Sequence, residues 1–82
     1  MTEYEAVLEL YQARNAVQIA RADGAEQYAG DTFSKGEQFL NQAELEYARK
    51  VDFNNAITLA RESVLAASDA RAIALRHKAA PR

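Results

Sequence analysis

Apolar and polar positions alternate along this chain with the period of a helix, and the clearest stretch runs from Asp52 to Ala79. Ile57, Ala60, Val64 and Ala67 recur at steps of three and four, and Ala56, Leu59, Ala66, Ala70 and Ile73 mark an adjacent face. Asp52 is placed to cap this helix, since its carboxylate can accept from the free amides of the first turn. A helix with two neighbouring apolar faces needs two partners. The preceding chain offers two. The first is predicted over about 3–23, with Thr2 and Glu5 as a capping box and a stripe of Ala6, Leu10, Ala13, Val17 and Ala20. Val7, Leu8, Tyr11 and Ile19 fall elsewhere on it, so its apolar surface is broad. Asp23-Gly24 ends it, the glycine suiting the left-handed position just past a helix.

Residues 25–30 read as an elbow, with Tyr28 folding back to cover the bundle end. A second helix over about 31–51, starting at Gly30 or Asp31, carries Phe33, Gly36, Leu40, Ala43, Tyr47 and Val51, with Asp31, Thr32 and Ser34 as capping oxygens. Gly36 inside it costs up to about 1 kcal/mol against alanine unless close packing needs the missing side chain. A tight turn at Lys50-Val51-Asp52 leads into the third helix, about 53–79, and short links favour antiparallel neighbours. The predicted fold is all-α, an antiparallel up-down-up three-helix bundle forming one domain over residues 1–82, with Leu40 and Val64 near mid-bundle. The last helix would be about 40 Å long against about 30 Å for the others, so its end is expected to project. Pro81 is where that helix must have stopped.

The 82-residue length limits the core, and alanine dominates the 49% apolar content, so the larger apolar groups supply most of the burial energy. Cysteine is absent, which removes disulfides, thiolate metal sites and thiol nucleophiles. A net charge of −2 and a pI near 5.3 disfavour non-specific nucleic-acid binding. No apolar run reaches the ~18 residues of a membrane span. The acidic start, Met-Thr-Glu-Tyr-Glu, has no signal-peptide character, which leaves a cytoplasmic chain or one whose targeting segment lies outside this sequence.

Chemistry is sparse. His77 is the sole histidine, so a histidine pair for a metal, or a triad beyond that one base, has nothing to draw on. Glu37 and Glu44 share a helix face and read as solvated carboxylates before an acid–base pair. The three glycines look like punctuation and form no phosphate-cradling loop. The expectation is therefore no enzyme, and no catalytic, cofactor-binding or metal residues; a small hydrolase is the weakest reading. The surface expected to meet a partner is the basic far end of the last helix: Arg71, Ile73, Leu75, Arg76 and Lys78, with Arg82 beyond. There, cations at a helix C-terminus serve the dipole in any case. The occupant would be a protein partner or a neighbouring domain, and self-association is open. Residues 40–60 also look like the turn of one tetratricopeptide unit, but no second copy follows at ~34 residues.

One wider pattern joins Ala20, Gly24-Ala25, Tyr28-Ala29, Phe33, Leu40, Ala43, Asp52-Phe53, Ala56, Leu59-Ala60 and Ala67. It resembles a bacterial family known as domain of unknown function 4398, over roughly residues 13–75. Gly30 stands where that family often has proline, and Gly36 where alanine is usual. The resemblance implies a short helical module of exported proteins, often lipoproteins and some bearing a peptidoglycan-binding module. The location implied is the periplasm or outer membrane of the cell envelope, and the role that of a non-catalytic scaffold or interaction module. It carries over no catalytic residues. The lipid-attachment cysteine expected in such proteins is missing from this sequence. The rival reading is a cytoplasmic tetratricopeptide-like adaptor that takes a partner helix in a groove.

Overall fold

The computed structural model describes residues 2–79, and it is all-α: α1 (Thr2–Ala22), α2 (Ala25–Tyr28), α3 (Gly30–Arg49) and α4 (Phe53–Ala79), with no strand among the described residues. The three long helices run up-down-up. Arg14 of α1 meets Glu44 of α3 while Arg21 meets Glu37, the crossed order of antiparallel neighbours. Glu9 meets Arg61 and Asp23 meets Arg71, the matched order of the parallel pair α1 and α4. α4 packs along both other helices, which meet each other far less. The two partners that its apolar faces demand are both present.

α1 buries the stripe its spacing predicts: Ala6, Leu10, Ala13, Val17 and Ala20. α3 buries Phe33, Gly36 and Ala43, with Leu40 and Tyr47 half-buried between them. In α4 the buried seam is Ala56, Ala60, Ser63, Ala67, Ala70 and Ala74, alternating steps of four and three, with Ile57 beside it. This seam lies between the two predicted faces. Val64 shares a flank with Arg61 and Arg71, which reach α1, and Leu59 on the other flank lines a cleft with α3. A helix clasped from both sides buries the line between its partners, so Ser63 is fully buried and Val64 only half.

Ser63 donates a 2.7 Å hydrogen bond from Oγ to the carbonyl oxygen of Gly36. A Cβ built on Gly36 would stand 3.2 Å from the backbone nitrogen of Ala67. The missing side chain is what lets α3 and α4 approach this closely. The apolar core forms two clusters. One holds Val17, Ala20, Ala25, Ala29, Phe33, Ala67, Ala70 and Ala74, the other Leu10, Ala13, Ala43 and Ala60, and Leu40 packs against both.

Several boundaries differ from expectation. α1 already includes Thr2, which therefore sits in the first turn and not at the cap. Gly24 takes the left-handed conformation at φ 88° as expected, but the elbow winds into the one-turn helix α2. Ala29, at φ −144° and ψ 46°, separates α2 from α3, which starts at Gly30, one of the two expected starts, and none of Asp31, Thr32 and Ser34 caps it. α3 ends at Arg49 because Lys50 adopts the left-handed conformation, φ 56°, its amide donating to the Tyr47 carbonyl at 3.1 Å. Val51 is thereby thrown out of the α3 stripe and is 85% exposed. The Asp52 cap forms: its Oδ1 accepts from the amide of Asn55 at 3.0 Å.

The projecting end is the main correction. Residues 2–28, α1 continued by the elbow, match the length of α4, and α2 lies against the final turns of α4. Ala70 and Ala74 are fully buried there, against Ala25, Ala29 and Phe33. Tyr28 does not plug the core; it stacks on His77, centroids 5.7 Å apart, and stays partly exposed. The stop expected at Pro81 and the cation Arg82 lie outside the described residues.

Candidate functional site

The residues expected to form a partner surface on α4 divide between packing and solvent. Arg71 donates from Nε to Asp23 at 2.5 Å, and Ile73 packs on the core cluster at that end. The Lys78 stem reaches the position a Cβ on Gly24 would fill. Leu75 and Arg76 face outward. Three of the five thus hold the elbow to α4, which leaves a thin surface for anything else. The two glutamates are likewise engaged: Glu37 accepts from Arg21, and Glu44 from Arg14 at 2.8 Å. Carboxylates that read as a solvated pair are the α3 ends of two ion pairs to α1.

These pairs draw most charges of α1 to its flanks; exposed Glu5 borders the outer surface beside Leu8 and Gln12. Toward α3 the helix directs Glu3, which pairs with Lys50 at 3.5 Å, together with Arg14 and Arg21. Toward α4 it directs Glu9, 2.6 Å from Arg61, and Asp23 beyond its last turn. Opposite the buried stripe, at helical phases centred half a turn from it, lie Tyr4, Leu8, Tyr11, Gln12, Asn15, Gln18, Ile19 and Ala22. All eight are exposed and none carries a formal charge. Tyr4 and Tyr11 are each 61% exposed, and Leu8 and Ile19 are also open to solvent. The guanidinium of Arg14 sits 5.5 Å from the Tyr11 ring centroid, holding that ring's edge of the face in place. In a chain with 27% charged residues, these eight uncharged positions span about 27 Å of α1.

Besides a shallow depression of about 470 Å³ on α1 itself, lined by Tyr11, Gln12, Arg14, Asn15 and Gln18, two clefts lie between helices. One of about 470 Å³ lies between α3 and α4 and is lined by Gln42, Leu45, Glu46, Arg49, Asn55 and Leu59. Another, about 190 Å³, lies between α1 and α3 over Val7, Leu10 and Tyr47. Both open to solvent, and neither gathers the convergent polar groups of a reaction centre. No group of three or more metal-ligating side chains occurs among the described residues, and no helix there is long and apolar enough to cross a membrane.

Sequence reasoning placed Val7, Leu8, Tyr11 and Ile19 on a broad apolar surface but not on an outer face, and left Tyr4 out. The missing signal was the charge pattern: with Glu3, Glu9, Arg14, Arg21 and Asp23 paired to neighbouring helices and Glu5 at its edge, the eight residues between carry no charge. The fold and this face define an elongated all-α bundle with a tyrosine-bearing strip along the outside of α1. Compared with family models, curated proteins and solved structures, the chain matches none.

Proposed function

We propose that this chain is a non-catalytic helical interaction module, a scaffold that holds a protein partner or neighbouring domain through the outer face of α1. The observation that carries the reading is the uncharged face bearing Tyr4, Leu8, Tyr11 and Ile19, since protein contact sites are enriched in tyrosine and depleted of charge at their centres. A three-helix frame latched by side-chain ion pairs presents this face on a regular helix, which lowers the ordering cost of binding. The resemblance to domain of unknown function 4398 supports an envelope setting, periplasmic or outer-membrane-associated.

The cleft between α3 and α4 favours the second reading, an adaptor seating a partner helix beside Leu45, which is 67% exposed. Photoreactive side chains at Tyr11 and at Leu45, in the protein made by its own cell, separate the two. The expected result is adducts from Tyr11 and few from Leu45, in the envelope fraction. Adducts from Leu45 alone would move the function to the adaptor reading, and none from either would overturn both.

A further inference from the structure

We infer that the occupant of the α1 face is a second copy of this chain, the two α1 helices packing antiparallel about a twofold axis; this rests on the interaction-module reading above. Charge is the first argument. An isologous contact sets a patch against itself, so any net charge on the patch repels. The eight residues of the face carry none; of the charges that border it, Glu3, Arg14 and Arg21 are paired with α3, and exposed Glu5 lies on the α4 flank beside Gln12.

Spacing is the second. Tyr4, Leu8, Tyr11, Asn15, Gln18 and Ala22 alternate steps of four and three, the interval at which side chains of one helix enter the gaps of another. Antiparallel pairing with its axis between Tyr11 and Asn15 sets Tyr4 against Ala22, Leu8 against Gln18 and Tyr11 against Asn15. Each large group then meets a smaller or polar one, and the tyrosine hydroxyls have polar groups within the seam to bond. Parallel pairing would set tyrosine on tyrosine and bring together two acidic first turns with their helix dipoles aligned.

Area is the third. With tyrosines of about 200 Å² each more than half exposed on a strip about 27 Å long, two copies bury on the order of 1,000 Å² in total. That reaches the lower bound of a specific interface, in the range of weak, concentration-dependent association.

The test is sedimentation equilibrium of the purified chain from about 1 µM to about 1 mM, the range over which such an interface fills. The mass should rise from 9.1 kDa toward twice that value. Tyr11→Glu and, separately, Gln18→Arg should weaken association by roughly a hundredfold while circular dichroism and melting match the parent, since both positions are exposed. Because the chain has no cysteine, Tyr4→Cys mixed with Ala22→Cys should give a mixed disulfide dimer, and neither variant alone should do so. A parent that stays at 9.1 kDa throughout, a dimer indifferent to both charge variants, or a disulfide from Tyr4→Cys alone would each overturn the inference. If the parent is monomeric while photoreactive Tyr11 captures a different polypeptide, the second copy is excluded and the interaction-module reading stands.

Discussion

Ser63 and Gly36 meet where α3 and α4 come closest, and each makes sense only with the other. Gly36 exposes its carbonyl because no side chain covers it, and Ser63 is the one polar group of the α4 seam, fully buried and bonded to that oxygen. A buried hydroxyl without a partner would be costly, so the bond fixes the rotation of α4 against α3 as well as holding it. Ser63→Ala should lower stability by about 1 kcal/mol in urea melts without loss of helix, because the Gly36 carbonyl keeps its own helical bond. An unchanged midpoint would mean that the hydroxyl does not fix the seam. Lys50 is a second special position, a non-glycine residue in the left-handed region that ends α3 and leaves Val51 in solvent. Nothing in Lys-Val-Asp distinguishes continuation of the α3 stripe from an early stop, because lysine has no marked preference for that conformation.

The elements were legible to different degrees for a physical reason. α1 and α3 each turn one stripe toward the core, so spacing alone identifies Ala6 to Ala20 and Phe33 to Tyr47. α4 is clasped by two helices, and its most buried line falls between two apolar faces, on alanines and one serine that carry little hydropathy signal. The elbow was the larger miss. Gly24 marked the end of α1, but four residues, Ala25 to Tyr28, are too few for a periodic signal, and they form the turn that covers the end of α4. That turn makes Ala70, Ile73 and Ala74 part of the core. A chain cut after Asp69 loses Ala70, Ile73, Ala74 and the Arg71–Asp23 pair, and uncovers Ala25, Ala29 and Phe33. It should lose about 3 kcal/mol or more by thermal or urea unfolding. Unchanged stability would restore those turns as an unpacked tail.

Across the whole molecule, two kinds of contact divide the work. The ion pairs on the flanks of α1 are largely exposed, where such pairs contribute little energy each; their weight is in orientation, and in clearing charge from the outer face. That clearing is invisible in the sequence until the neighbours of each charge are known, which is why the basic end of α4 drew attention first. Cohesion comes from small side chains that let α4 lie close to its neighbours, the seam from Ala56 to Ala74 meeting Gly36 on α3. The same substitution at two glycines tests this most directly. Gly30 opens α3 with nothing within 4 Å of a built Cβ, so Gly30→Ala should raise stability by about 0.4–1 kcal/mol through helix preference. At Gly36 the preference for alanine is as large, but the new methyl meets the backbone of Ala67 at 3.2 Å, and a packed helix does not give way as a side-chain tip would. Urea unfolding should therefore show opposite signs, Gly36→Ala falling about 1 kcal/mol below the parent. If both variants were stabilised alike, α3 and α4 would not be in close contact at Gly36, and the small-residue seam would not be what holds this bundle together.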